Sequence, residues 1–363
     1  MNNYKKLLLL ADLHFGVSAN SLLFQNIQKE YYEDFLIPFL KQQYKDTALF
    51  ILGDVFDCRH SINVGVLNYV YNLLKTISNI IDVYIIAGNH DLFSENSLVS
   101  SLISIENCVK KVYYTPEMVS VNNCNILLLP YNTSDKSYSE IISNYNNIDY
   151  IFTHCDIASM KFSDSVKIPN SDSNKVINED CFKVCKKIIS GHIHKRQETN
   201  KVIYLGSPYS LTFNDVNDVK GVYELNVETD VINFFENPID HKFKKLSMND
   251  LLNMSDEQFL EFANNSFVSV SIPQIEKTKI SYSKYYKLLE DSKTNCHKLK
   301  FNFETVSNLT ESVLHNATID GNPVMIESTP LVDSIEEYVN ECVPKDYKQR
   351  VNESIRELVK QRV

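Results

Sequence analysis

Over the first 240 residues one pattern recurs: a run of apolar residues stops at a polar cluster. Leu7 to Ala11 stops at Asp12-Leu13-His14, and Ala48 to Leu52 at Gly53-Asp54. Val83 to Ala87 stops at Gly88-Asn89-His90-Asp91, Tyr150 to Thr153 at His154, and Ile188 to Ser190 at Gly191-His192-Ile193-His194. Continuous Leu, Ile, Val and Tyr runs predict strands buried on both faces. Helical periodicity falls between them, over residues 27–43, 64–78 and 178–186. Strands alternating with helices predict an α/β layer architecture, in which sites gather at the carboxyl ends of the strands. Further strands are expected at 126–129 and 202–205, with a hairpin of 221–227 and 231–235 turning at Glu228-Thr229-Asp230.

The character changes after Asn237-Pro238 and Lys242-Phe243-Lys244-Lys245, which reads as a boundary. Beyond it a strand (267–272), a helix (282–292) and a strand (298–305) predict a small α+β module. The tail, 335–363, reads as two short helices broken at Pro344, the second with Tyr347, Val351, Ile355, Leu358 and Val359 on one face. The expected domains are therefore 1–240, a capping domain at 241–330 and a C-terminal helical segment at 331–363.

With 44% hydrophobic and 23% charged residues, the chain has the composition of a folded protein with a sizeable core. No apolar run approaches the ~20 residues of a membrane span. The N-terminal run meets Asp12 and His14 too early for a signal peptide, so a cytoplasmic protein is expected, in the host cell if the source is viral. A net charge of −10 (36 basic, 46 acidic) argues against a non-specific polycation. It does not exclude an enzyme of nucleic acids, because a basic rim or a cationic metal pair can attract phosphate locally. Eight cysteines without a CxxC read as reduced thiols. Only eight glycines occur in 363 residues, where an average chain has about 25. Five of them (Gly16, Gly53, Gly88, Gly191 and Gly206) stand beside chemically capable residues.

Asp12 and His14 are two apart at a strand end and project to one side, as do His192 and His194. Asp54, Asn89 and His154 end three more strands. If these strands are neighbours, their tips converge on two carboxylates, four imidazoles and one amide oxygen. Nitrogen and oxygen ligands without thiolate suit Mn, Fe or Zn better than Ca or an iron–sulfur cluster. Seven ligands exceed the needs of one ion, but two ions about 3.5–4 Å apart sharing a carboxylate would use them all.

The order Asp12-x-His14, Gly53-Asp54-x-x-Asp57, Gly88-Asn89-His90-Asp91, His154, Gly191-His192-x-His194 resembles the calcineurin-like metallophosphoesterases. That resemblance implies a β-sandwich flanked by helices and two divalent metals, with Mn2+ expected. Asp12, His14 and His194 would bind one metal, Asn89, His154 and His192 the other, and Asp54 would bridge. His90 would face the scissile phosphate, with Asp91 orienting its ring. Asp12-Leu13-His14-Phe15-Gly16, the stretch Leu205-Gly206-Ser207-Pro208-Tyr209-Ser210-Leu211-Thr212, the strand pair after Lys220-Gly221 and the added cap resemble the SbcD-type DNA repair nucleases more narrowly. The Gly53 to Arg59 stretch is most similar to the nuclease subunit of phage recombination complexes. Archaeal and eukaryotic members carry a second histidine where this chain has Asp57, and His60 is off register.

The implied activity is phosphodiester hydrolysis of DNA, as double-strand exonuclease and single-strand endonuclease, in recombination and repair. The implied partners are DNA, an SMC-like ATPase gripping the C-terminal segment, and a second copy docking through 64–77 and 98–105. Candidate phosphate contacts are Arg59, Lys195, Arg196 and the 242–245 cluster. Two other readings stay open: a phosphomonoesterase or cyclic-nucleotide phosphodiesterase of the same fold, and a catalytically silent scaffold.

Overall fold

Thr47–Leu52 has no polar side chain after its first residue, and all six residues are buried. Such a strand must lie inside a sheet covered on both faces. The computed structural model describes residues 4–43, 45–161, 166–273 and 280–304, with two short strands at 318–319 and 322–323. Its strands in chain order are β1 Lys6–Leu10, β2 Thr47–Leu52, β3 Asp82–Ile86, β4 Lys111–Tyr113, β5 Glu117–Val121, β6 Cys124–Leu129 and β7 Tyr150–His154. They continue with β8 Asp156–Ile157, β9 Val176–Ile177, β10 Lys187–Gly191, β11 Gln197–Glu198, β12 Val202–Tyr204, β13 Gly221–Asn226 and β14 Val231–Glu236.

Two six-stranded sheets form, in the orders β14-β13-β1-β2-β3-β4 and β11-β12-β10-β7-β6-β5. In the first, β1 to β4 run parallel. In the second, β6, β7, β10 and β12 do. Successive side chains of a strand face opposite ways, and both faces are used. Leu7, Leu9, Phe50, Leu52 and Tyr84 of the first sheet pack on Ile126, Leu128, Phe152 and Ile189 of the second. Leu8, Leu10, Leu49 and Ile51 face outward onto Leu36, Leu40, Val70 and Leu74 of the covering helices. The far face of the second sheet packs on Tyr138, Ile142, Cys181 and Cys185. The α/β sandwich flanked by helices is therefore as expected.

Some elements differ. The helix expected over 27–43 starts earlier, at Leu22, and widens into a π-turn over Tyr31–Leu36 that buries both Tyr31 and Tyr32. The helix expected over 178–186 is only a 3-10 turn, Glu179–Lys183. The Lys186 N–H is already bonded to the Asp149 carbonyl, so the chain has turned into its strand by then. The apolar segment 98–105 forms no α-helix; a 3-10 turn covers Ser101–Ser104.

The Lys242 to Lys245 stretch, read as a boundary, runs into the strand that opens the α+β module. Phe243–Ser247 is strand β15, parallel to β16 Ser266–Pro273, which neighbours β17 Cys296–Glu304. Phe243 accounts for this: its ring stacks on Phe267 at 4.4 Å between centroids, and Phe24 lies 5.3 Å from Phe267. Helices Met248–Asn253, Asp256–Ala263 and Tyr282–Ser292 complete the α+β module, the first two opened by Ser247 and Ser255 capping boxes. Residues through Phe303 cluster as one compact unit. The antiparallel pair Thr318–Ile319 and Asn322–Pro323 belongs to the second. The expected boundary at 330 and the helical tail 335–363 lie outside the described residues.

Candidate metal centre

Parallel pairing brings the polar clusters to one edge. Leu10 pairs with Ile51 and Leu52 with Ile86, while Gly191 pairs with His154 across the other sheet. Beyond the strands the first two loops keep pairing: the Asp12 N–H bonds the Gly53 carbonyl, and the His14 N–H the Asp54 carbonyl. Asp12, His14, Asp54 and His192 all take positive φ (55°, 45°, 54° and 88°). Each such residue costs of order 1–3 kcal/mol and persists only where its surroundings enforce it. Gly88 shows how tight the enforcement is, since a Cβ there would lie 2.3 Å from Asp54 Oδ1. Gly53 has φ +86°, and a Cβ on it would strike the His154 ring at 2.3 Å.

The seven expected ligands converge. His154 Nε2 lies 3.2 Å from Asp54 Oδ2 and 3.0 Å from Asn89 Oδ1, and His192 Nδ1 is 2.9 Å from that same amide oxygen. His14 Nε2 is 3.6 Å from Asp54 Oδ2, and the rings of His14 and His194 are 4.6 Å apart. Asp12, His14 and His194 offer ligand atoms within 4.8 Å of one another, as do Asp12, Asp54 and His154.

Hydrogen-bond roles show what the cluster lacks. His154 Nδ1–H donates to the Leu52 carbonyl at 2.7 Å. Its Nε2 therefore faces two acceptors, Asp54 Oδ2 and Asn89 Oδ1, and positive charge, a proton or a metal, must stand between them. His14 Nδ1–H donates to the Asp57 carboxylate at 3.1 Å, and His14 Nε2 is buried without a hydrogen-bond partner among the described residues. Acceptors facing acceptors in a buried space call for a cation. The ionisations show the same demand for positive charge. Burial works against charge on His154, yet Asp54 holds it up to about 9. Burial alone would raise Asp54, but His154, His14 and His90 keep it well below the usual carboxylate range. Burial and then the His14 charge push His194 down to about 4, leaving the neutral imidazole a metal requires. The donor set fits divalent ions.

His90 stands beside this cluster, its ring 4.9 Å from that of His14. Its Nδ1–H donates to the Asp57 carbonyl at 2.5 Å, leaving Nε2 for a ligand. The orienting role expected of Asp91 is corrected here. Its two oxygens accept the N–H groups of Asp54, Val55, Phe56 and Gly88. Asp91 thus ties the loops after β2 and β3 together, and burial followed by the Asp54 charge raises it to about 7.

Three supports carried no local signal. The Gln28 amide donates to the Leu13 and His14 carbonyls. Asp156 Oδ1 lies 3.4 Å from His192 Nε2. Buried Lys220 donates to the His194 carbonyl at 2.8 Å and meets Asp215 and Asp218 at 2.7 and 2.9 Å. Of the candidate phosphate contacts, Arg59 and Lys195 are partly exposed and Lys242 and Lys245 exposed. Arg196 is turned inward, its guanidinium 4.3 Å from the Phe234 centroid and its Nε buried. Lys244 donates to the Phe262 carbonyl.

A pocket of facing acceptors at converging strand ends is the equipment of a metal-dependent phosphoesterase. The chain belongs to the calcineurin-like phosphoesterases, whose family model matches residues 5–223. Exonuclease subunit 1 of Enterobacteria phage T4 is 27% identical over 349 residues, 92% of either chain. Putative phosphoesterase 244L of Invertebrate iridescent virus 6 is 26% identical over 225 residues, 59% of this chain and 73% of its own. Among solved structures, an archaeal phosphodiesterase aligns with a TM-score of 0.34 and 12% identity, over 64% of this chain and 99% of that one. No helix among the described residues is long and apolar enough to cross a membrane.

Proposed function

We propose that this chain is the nuclease subunit of a DNA-processing complex, hydrolysing phosphodiesters in recombination and repair. The observation that carries this reading is the similarity to Exonuclease subunit 1 across 92% of both chains. It extends past the phosphoesterase match at 223 into the cap, which a phosphomonoesterase reading leaves without a purpose.

Asp12, His14 and His194 would hold one divalent ion, Asn89, His154 and His192 the other, with Asp54 shared; Mn2+ suits these donors. Such a pair supplies an activated water and neutralises charge on the phosphoryl oxygens. The chain's own contribution is His90. With Nδ1–H anchored on the Asp57 carbonyl, a protonated His90 gives its Nε2 proton to the leaving 3′ oxygen as the P–O bond breaks. DNA would be held by its phosphates, with Arg59 and Lys195 as contacts.

A homodimer fits the apolar residues left on the surface: Val64, Leu98, Val99 and Ile103 are 80%, 56%, 66% and 72% exposed. An SMC-like ATPase would take the C-terminal segment. The place of action would be the cytoplasm, that of the host if the source is viral.

The deciding experiment is digestion of an end-labelled duplex in Mn2+ by the parent and by His90→Asn. Cleavage by the parent alone supports the nuclease. Equal cleavage by both removes His90 from its role. Hydrolysis of phosphomonoesters without DNA cleavage replaces the reading with a phosphatase.

A further inference from the structure

Beside the metal centre lies a cavity of about 410 Å³, within the ~300–1,000 Å³ range of small-molecule sites. The helix Tyr138–Ile142 and three loops build it: Asn96 and Leu98 follow β3, Tyr114 to Pro116 follow β4, and Pro130 to Ser134 follow β6. All three loops leave the carboxyl ends of their strands, the edge that also carries Asn89, His154 and His192.

Tyr131 is the wall the two sites share. Its ring lies 6.5 Å from that of His192, and its N–H bonds the Ala87 carbonyl just before Gly88-Asn89. Lys175 fixes the cavity's shape, bonding the Asn132 and Glu95 carbonyls while its ammonium sits 4.7 Å from the Tyr131 centroid.

The lining has a distinct chemistry. No described residue in it carries a charge. Its flat parts are the rings of Tyr114 and Tyr131 with Pro116 and Pro130, and amides and hydroxyls stand beside them. The Tyr114 hydroxyl is buried with no hydrogen-bond partner among the described residues. An uncharged, flat ligand with apolar faces and a polar edge matches these walls. A phosphate, a carboxylate or an ammonium does not.

We infer that this cavity receives a nucleobase of the substrate strand, unstacked from its neighbours while the adjoining phosphodiester lies on the metal centre. The inference rests on the phosphodiesterase reading above and adds a base subsite to it. Aromatic and apolar walls accept any base by its face, so the subsite favours frayed ends and single strands over a particular sequence.

The test compares two small diesters in Mn2+. One is the p-nitrophenyl phosphate of thymidine, used as both its 3′- and 5′-linked isomers. The other is methyl p-nitrophenyl phosphate, which has no base. The full-length parent is set against Leu98→Trp and Thr133→Trp, which add bulk to the cavity from an exposed and a partly exposed position. The parent is expected to prefer a thymidine diester through KM, and each variant to lower that preference about tenfold, the worth of one base contact.

A fall in activity on both diesters with the preference unchanged overturns the inference, because the cavity is then structural. A parent without preference also overturns it and leaves the phosphodiesterase standing. A parent that hydrolyses neither diester removes the phosphodiesterase reading and the subsite with it. If the variants keep the preference but sediment as a smaller species, the cavity belongs to the contact between copies and the inference falls.

Discussion

The carboxylate of Asp57 accepts a hydrogen bond from Nδ1 of His14 at 3.1 Å. A carboxylate can only accept, so Nδ1 carries a proton, and this fixes the ring with Nε2 facing Asp54 at 3.6 Å. The backbone of the same residue anchors His90. Asp57 thus serves two imidazoles by two different atoms.

Asp57→Ala is therefore expected to separate metal affinity from turnover. Losing the carboxylate frees the His14 ring and should weaken Mn2+ binding 10- to 100-fold, the usual effect of removing an orienting partner. The carbonyl that anchors His90 remains. At saturating Mn2+, kcat should stay within a few fold. Calorimetric titration of the apoprotein reads the first effect, and an unchanged affinity would sink the argument.

Removing metal should cost stability. At a free Mn2+ concentration 100 times Kd, a site present only in the folded state contributes about 2.7 kcal/mol. That corresponds to a Tm rise of roughly 5 °C over the chelated protein. Asp54→Asn should abolish most of this rise, since both ions would lose a ligand. A Tm indifferent to Mn2+ in the parent would contradict the two-ion centre.

The buried Lys220 with Asp215 and Asp218 should be among the most sensitive positions outside the metal centre. Lys220→Met leaves two carboxylates inside without a cation, a loss of about 3–5 kcal/mol, and frees the His194 carbonyl. Burial alone would raise Asp215, but Lys220 and the Thr212 and Leu211 N–H groups lower it. A carboxyl lower in the folded than in the unfolded chain stabilises above its ordinary value near 4. That stability disappears as pH falls through the folded value. Urea midpoints of the parent should therefore drop steeply below pH 4, and those of Lys220→Met should drop less steeply.

Arg59 and Arg196 should behave differently on DNA. Arg59→Gln should flatten the dependence of duplex affinity on salt by about one phosphate contact. Arg196 lies over Phe234, so Arg196→Ala should lower Tm through lost packing and leave the salt slope unchanged. A slope changed by Arg196→Ala alone would reverse the assignment.

The chain's local patterns decided the central strands of both sheets, where they end and which chemical groups stand at their ends. Runs such as Leu7 to Ala11 and Ala48 to Leu52 have too many apolar side chains for a one-sided strand, and the polar residue after each can only sit at an edge. The strand–helix alternation likewise announced a layered α/β fold with its polar clusters at the carboxyl ends of strands. Local pattern failed where length or context overrode it: the 178–186 helix shrank to a 3-10 turn, and strand β15, with its alternating lysines, was announced by no apolar run.

Only the tertiary structure decided which atom serves which neighbour. Asp91 adjoins His90 in sequence but bonds the loop after β2, while Asp57, 33 residues away, anchors the His90 ring. The His192 N–H meets Asp12 across 180 residues, and Lys220 reaches the carbonyl of His194 from a different loop. Periodicity reports which side of an element is buried. A hydrogen bond depends on distances of a few tenths of an ångström between side chains on separate strands, and only the folded packing sets those.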